Sequence, residues 1–380
     1  MVCMAGTTLP TPLYPLYQEK FGFSELTVTV VYAVYAFGVI GVLLLAGNAS
    51  DTIGRRPTLR WGLAFAAASA VCFLCADALG WLYAGRLLSG LSAGLFTGAA
   101  TAYVMELAPP GGTARATLVA TAANMGGLGC GPLLAGLLAE YAPDPLLLPF
   151  AVHLALVAVA ALVLQWLPET VAERRPLSAV RPRKPALPAR VRAVFVPAAV
   201  ASFAGFALFG VFTSVSPAFL ARYLHVDNHA VSGIVVALAF FASTGGQVAA
   251  GRVGPSRSLP LGCAVLFAGL VLLAVALATD LLVFIVLAAL VGGTGQGLAF
   301  RAALSAVAAA SPPDQRAAVI SSLFVVAYIG ISIPVIGVGL LADPLGLEGA
   351  GLVFIACMLV LVASAGAYLL RRARAAAPSS

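Results

Sequence analysis

Charge is what this sequence has least of. Only 9% of its 380 residues are charged, whereas soluble domains average about 25% charged residues. Hydrophobic residues make up 61% of the sequence, whereas soluble domains average about 45–50%. That composition excludes an ordinary water-soluble fold. The apolar runs are long, unbroken and rich in Ala, Leu and Val, which excludes a membrane barrel, because barrel strands alternate with period two. The sequence therefore predicts an all-α membrane protein.

Three kinds of chemistry are also missing from the sequence. The six cysteines are scattered among apolar segments, and the C-x-x-C spacing of Cys72 and Cys75 lacks a second ligand pair, so neither a disulfide framework nor a metal site is predicted. No cluster of His, Asp and Glu offers the nucleophile and base that an intramembrane enzyme needs. Since no nucleotide-binding motif is present, direct ATP drive is excluded too. We predict no enzyme, no metal and no cofactor.

Apolar segments are arranged as six spans, a polar linker and six spans. Proline at high density prevents a continuous helix in the linker, which carries seven basic residues. The first segment is too short to cross a bilayer, and we expect a truncated first helix whose start lies upstream. The predicted domains are a six-helix bundle at 1–167, the linker at 168–194, a second six-helix bundle at 195–371 and a tail at 372–380. The predicted spans are 1–17, 26–46, 58–76, 81–105, 118–139, 145–167, 195–220, 231–250, 259–278, 281–307, 317–341 and 351–370.

The two halves repeat a pattern of paired prolines, a basic residue, and a glycine and proline within a span. The repeat has an offset of 201 to 203 residues, which predicts two bundles of the same orientation, related by a pseudo-twofold axis along the membrane normal. The matching residues are Pro109-Pro110, Arg115, Gly129 and Pro132 in the first half, and Pro312-Pro313, Arg316, Gly330 and Pro334 in the second.

Basic residues are unequally divided between the two predicted membrane sides. The side with the linker and tail carries 17 of the 21 Lys and Arg, the other carries Lys20 and Arg222, and Arg86 and Arg301 lie within spans. The positive-inside rule then predicts a multi-pass protein of the cell inner membrane, with linker and C-terminus in the cytoplasm. The net charge of +7 therefore reflects topology, and no nucleic-acid partner is expected.

The turn between the second and third spans, residues 47–59, is the most distinctive motif. It resembles the cytoplasmic signature of the major facilitator superfamily, and the six-plus-six layout fits that family as well. The matching residues are Gly47, Asp51, Gly54, Arg55 and Arg56, whereas Thr52 stands where the family commonly has a basic residue. The resemblance implies the major facilitator fold and a conformational latch at this turn. The alternative is a topology anchor that only obeys the positive-inside rule.

Two further motifs resemble patterns of the same family. Arg86 and Gly90 match its fourth-helix motif, which implies a functional charge, although an arginine near a span end can also snorkel to the interface. In the fifth span Ala135 and Leu118 depart from the family's antiporter pattern. The match implies efflux. The alternative is that these residues serve only close helix packing. Its residues are Gly127, Gly131, Pro132 and Gly136.

The spans contain few polar residues and no mid-membrane carboxylate. The candidates for lining a substrate cavity are Tyr32, Asn124, Phe206, Gln247, Gln296 and Tyr328. We therefore predict a secondary transporter that works by alternating access. The expected activity is efflux of a small hydrophobic or weakly anionic, drug-like compound, with protons as the candidate coupling ion. Uptake or facilitated transport of a metabolite such as a sugar or organic acid is the alternative. The expected partners are the substrate and the lipid bilayer, and the expected state is a monomer.

Overall fold

Helices account for all regular secondary structure that the computed structural model describes, in residues 1–182, 185 and 187–376. Ten of these helices are long and apolar enough to cross a membrane. Linker residues 183, 184 and 186, and residues 377–380 of the predicted tail, lie outside the described residues.

The first half of the chain forms eight helices, several of which are interrupted by proline or glycine. The first segment is divided into two short helices and a 3-10 turn at Thr11–Leu13, because Pro10, Pro12 and Pro15 remove backbone donors. The turn at 47–59 is partly helical. One short helix lies inside it, and the next helix begins at Arg55, before the start of the third span that the sequence predicts at residue 58. The helices are α1 (Val2–Thr8), α2 (Tyr14–Phe21), α3 (Glu25–Leu45), α4 (Ala49–Thr52), α5 (Arg55–Leu74), α6 (Leu79–Glu106), α7 (Thr113–Tyr141) and α8 (Leu148–Trp166).

The second half forms six helices after a linker that contains 3-10 turns at Leu177–Ala179 and Ala189–Val191. The last of them covers both final spans. The predicted spans 317–341 and 351–370 are two helical stretches joined at Gly346, which leaves the helical region with φ of 72°. The helices are α9 (Arg192–Ser214), α10 (Ser216–Arg222), α11 (His229–Val253), α12 (Pro255–Thr279), α13 (Leu282–Ala310) and α14 (Arg316–Ala376).

The internal repeat is visible in the backbone. Gly54 and Gly254 precede α5 and α12 with φ of 107° and 90°, a region that favours glycine. One turn later, the hydroxyls of Thr58 and Ser258 donate to the carbonyls of Gly54 and Gly254, at 2.8 Å and 2.6 Å. Equivalent turns in both halves thus use the same local chemistry.

The two bundles meet where α3 crosses α14 and where α7 crosses α11. We call the membrane side that carries the linker the linker side, and the opposite side the far side. At both crossings, the two helices approach most closely at a glycine near the far side. A Cβ at Gly136 would lie 2.5 Å from the His229 carbonyl oxygen, and one at Gly339 would lie 3.0 Å from Leu26 Cα. Since Gly339 occupies the repeat position of Gly136, the closure is nearly symmetric.

Candidate functional site

A cavity of about 770 Å³ lies between the bundles and opens toward the linker side. Its deep end is formed by Thr7, Tyr32 and Arg86 from α1, α3 and α6. Its mouth includes Gly47 and Asp51 of the turn after α3. The volume falls within the range of about 300–1,000 Å³ that is typical of small-molecule sites.

Five of the six predicted cavity candidates line this space. Gln296 is the exception, because it is buried between helices and is not part of the cavity lining. Its Oε1 accepts a hydrogen bond from Ser243 Oγ at 2.6 Å, and Gly205 packs against its side chain. The sequence shows which helix carries a residue, but the face it occupies here is set by packing between α9, α11 and α13. The lining candidates are Tyr32, Asn124, Phe206, Gln247 and Tyr328.

Aromatic rings form a continuous wall that crosses from one bundle to the other. Tyr35 of α3 contacts Tyr328 of α14, with ring centroids 6.1 Å apart, and Tyr328 contacts Phe206 at 5.9 Å. Phe206 contacts Phe300 at 5.1 Å, and Phe300 contacts Phe324 at 5.6 Å. Edge and tilted contacts of this kind stabilise aromatic pairs, so the wall is a fixed apolar surface.

Arg86 lies at the deep end of the cavity rather than snorkelling to an interface. Its side chain donates to the Thr7 carbonyl and, at 3.2 Å, to the Tyr32 carbonyl, and the residue is only 1% exposed. Gly90 makes this position possible, because a Cβ there would collide with the Tyr35 carbonyl and approach Gly38 Cα to 3.1 Å. The predicted fourth-helix motif therefore brings α6 against α3 and holds a guanidinium between them.

The turn after α3 forms an ionic cluster centred on Arg55. The Arg55 guanidinium binds Glu106 at 2.7 Å and also pairs with Asp51. Its side chain is 10% exposed. Glu106, at the end of α6, is a partner that the sequence analysis did not identify. The neighbouring Arg56 instead donates to the Gln165 carbonyl on α8 at 2.9 Å.

Glu169, at the start of the linker, caps the amino end of α5. It accepts the backbone N–H groups of Arg55 and Arg56 at 2.9 Å and 3.1 Å. Burial alone would raise the pKa of Glu169, but the donated N–H bonds outweigh it and lower that pKa below its usual value. A Cβ at Gly54 would lie 2.7 Å from Glu169 Oε2, so this glycine leaves room for the cap.

The glycines of the fifth-span motif face two different neighbours. Gly127 packs on the Met1 carbonyl and Gly131 on the Ala5 carbonyl of α1, whereas Gly136 packs on α11 of the other bundle. The Pro132 carbonyl lies against Gly233 of α11. The motif thus lies at a three-helix junction that includes the far-side contact between bundles.

Polar contacts also join the bundles on the far side. Arg222 pairs with Glu25 at 2.6 Å, and the His229 backbone N–H donates to Glu140 at 2.8 Å. Gln18 donates to the same Glu25 carboxylate at 3.2 Å. The sequence analysis missed these residues because polar and charged residues near helix ends are common, and only the folded chain brings them together.

Solved structures and a curated relative resemble this chain. A bacterial homologue of the human lysosomal transporter Spinster, in an inward-facing and unoccupied conformation, superposes with a TM-score of 0.73 at 17% identity, covering 98% of this chain and 94% of that one. Its inward-facing, occupied form gives 0.69 at 15% identity, with the same coverage. These likenesses show the fold.

In sequence, the puromycin resistance protein pur8 of Streptomyces alboniger is 34% identical over 143 residues, which span 37% of this chain and 28% of that protein. The family model of the Major Facilitator Superfamily matches residues 1–335. The all-helical arrangement that the sequence predicts agrees with these matches. This chain therefore belongs to the Major Facilitator Superfamily and is a multi-pass membrane transporter rather than an enzyme.

Proposed function

We propose that this transporter exports a small hydrophobic or weakly anionic organic compound from the cytoplasm by alternating access. The cavity between the bundles carries this proposal, because it has an aromatic wall, opens to the linker side and is closed on the far side. The excess of basic residues on the linker side supports a cytoplasmic location for that side in an inner membrane. Efflux is supported by the partial antiporter motif and by the likeness to a resistance protein.

Uptake of a sugar is the alternative, and the state of the cavity hydroxyls argues against it. Threonines line the cavity more densely than the sequence analysis anticipated. Most of these hydroxyls, however, already donate to backbone carbonyls: Thr97 to Ala93 at 2.8 Å and Thr8 to Leu128 at 2.7 Å. The hydroxyls of Thr7 and Thr101 are bonded in the same way. A sugar site needs side chains that hydrogen-bond the substrate, and Asn124 and Gln247 provide the amides of this lining.

A transport screen in proteoliposomes tests the proposal. Hydrophobic amines, neutral aromatics, organic acids and sugars are offered with and without an imposed pH gradient. Export of an aromatic compound from the linker side, accelerated by a gradient that is acidic on the far side, is the expected result for proton-coupled efflux. Saturable transport confined to sugars, with aromatic compounds ignored, would establish the alternative.

The far-side ion pair yields a prediction about the conformational equilibrium. Arg222→Gln removes the cationic partner of Glu25 and leaves the linker-side contacts intact. The Arg222 side chain is 55% exposed, so we expect a shift of at most about 1 kcal/mol, or roughly 2–5-fold, toward far-side-open carriers. The measurement is labelling of a cysteine at Thr213, which is buried in this conformation, by an impermeant maleimide added on the far side of a cysteine-free protein.

Lys20→Gln is the matched control for this ion pair. Lys20 is also a far-side cation, but it donates to the Ala76 carbonyl within its own bundle at 2.9 Å. Its replacement should leave labelling unchanged. Equal labelling rates in Arg222→Gln and the parent protein would show that the pair does not hold the bundles together.

Asp51→Asn tests the proposed latch with the smallest change of shape. The substitution removes one of the two carboxylates that bind Arg55 and keeps Glu106. The Asp51 side chain is 56% exposed, so the unfolding temperature should stay nearly constant, while transport slows about 3–10-fold because one of the conformations loses a charge-assisted hydrogen bond. Parental transport rates at parental expression would contradict the latch and favour a topology anchor.

A further inference from the structure

The charged residues of the cavity do not balance. Those that line it are Asp51, Arg55, Arg86 and Arg301. Asp51 and Arg55 pair with each other at the mouth. Among the described residues, no carboxylate lies within ion-pair distance of Arg86 or Arg301. The interior of the cavity therefore carries an excess of positive charge.

Arg86 holds the most deeply buried part of that charge. Its guanidinium donates to the neutral carbonyls of Thr7 and Tyr32, and its Nε has no acceptor in the described part of the chain. A guanidinium has five N–H groups, so donors remain for a ligand. Since burial of an uncompensated cation is costly and dipoles compensate it only partly, an anion is the ligand that this position favours.

The surroundings of Arg86 specify the rest of that ligand. The Tyr32 and Tyr35 rings lie 5.1 Å and 4.9 Å from the guanidinium carbon. From Tyr35 the aromatic wall continues through Tyr328 to Phe206 in the second bundle. A molecule with a planar anionic group on Arg86 would therefore lay its apolar body against aromatic rings of both bundles.

We propose that the substrate is an aromatic carboxylate, with Arg86 as its anchor and the aromatic wall as the surface for its ring. Guanidinium and carboxylate form paired, parallel hydrogen bonds, which fix orientation as well as charge. Hydrophobic cations are disfavoured because the described lining places no carboxylate near the deep end. This inference rests on the proposed transport function of the cavity and narrows its substrate class.

Binding of three matched probes to the detergent-purified protein tests the inference. The probes are 2-naphthoate, 2-naphthamide and 2-naphthylmethylamine, which share one ring and differ in charge. We expect naphthoate to bind at least about tenfold more tightly than the amide, and the amine to bind most weakly. Equal affinities for acid and amide, tightest binding of the amine, or no binding of any probe would overturn the inference.

Two variants that remove the same charge locate the anchor. In Arg86→Gln the preference for naphthoate over naphthamide should disappear, while amide binding, which also reports a folded cavity, persists. In Arg252→Gln, at an exposed arginine outside the cavity lining, the preference should remain. Equal loss of preference in both variants would overturn Arg86 as the anchor. Arg86→Lys replaces the glutamine variant if that protein fails to fold. The lysine keeps the charge, and naphthoate affinity should fall about tenfold because the paired geometry is lost. Unchanged affinity would contradict the anchor.

Binding in detergent does not depend on transport direction, which separates this inference from the proposed export. Naphthoate that binds with the expected preference but is not exported from proteoliposomes would contradict export and leave the substrate class standing. Export confined to neutral or cationic compounds would support export and contradict an aromatic carboxylate as the substrate.

Discussion

Gly136→Leu is expected to reduce transport more than about tenfold by keeping the bundles from closing on the far side. A Cβ at this position would lie 2.5 Å from the His229 carbonyl oxygen and 3.1 Å from Gly233 Cα, and backbone atoms cannot rotate away as a side chain can. Overpacking costs about 1–3 kcal/mol, and here the cost falls mainly on the far-side-closed conformation. A cost borne by one state shifts the equilibrium between states.

Gly126→Leu is the control for this prediction. Gly126 lies on the same helix, and a Cβ there would meet nothing within 4 Å. Transport rates of both variants are compared in proteoliposomes at matched protein amounts, with thermal unfolding in detergent as a check of folding. A Gly136→Leu protein that transports within about twofold of Gly126→Leu would contradict the role of this crossing. Each 1.4 kcal/mol of the expected cost changes the equilibrium between the two conformations about tenfold.

Arg55→Gln is expected to have the largest effect of any substitution in the turn at 47–59. It leaves the carboxylates of Asp51 and Glu106 close together without their shared cation. Removal of one partner from a fully buried pair costs about 3–5 kcal/mol. Since these carboxylate side chains are 56% and 35% exposed, we expect a smaller loss of about 1–3 kcal/mol, with little transport remaining.

Arg56→Gln is the matched control, since it removes the same charge from the next residue. Arg56 donates to the Gln165 carbonyl, and we expect a change within about 0.5 kcal/mol in its unfolding free energy. Thermal unfolding and transport are measured for both variants. Similar losses in the two proteins would mean that net positive charge, rather than the Arg55 cluster, is what the turn contributes.

The sequence analysis located the spans because long apolar runs need no tertiary information. It did not indicate how short the connection between the spans 317–341 and 351–370 is. There Asp343-Pro344 lies next to Gly346, and one glycine with φ of 72° is enough to redirect the chain between two helices. Pro344 comes two residues before Gly346, so it lies at the end of the first helical stretch, and the second begins directly after the glycine.

The candidate site was predictable where a residue type is rare within spans. Arg86 stood out for that reason, whereas Glu106 and Glu169 did not, because acidic residues at helix ends are common. Glu169 is 114 residues from the N–H group of Arg55 that it accepts, a pairing that no local pattern indicates. Gly339 could have been predicted from the sequence, since it occupies the position in the internal repeat that corresponds to Gly136. The misplacement of Gln296 shows that knowing which helix carries a residue does not fix the face of the helix on which it lies.

The distances between the bundles on the two sides of the membrane test the central claim most directly. Spin labels are placed on exposed loop residues in a cysteine-free protein: Asp77 and Asp227 on the far side, Pro110 and Asp314 on the linker side. The two distances are measured by pulsed electron resonance in the parent protein and in Gly136→Leu. We predict that the far-side distance is longer in the variant than in the parent, while the linker-side distance is shorter. Distances that stay fixed, or that change in the same direction on both sides, would contradict a cavity opened alternately by two rocking bundles.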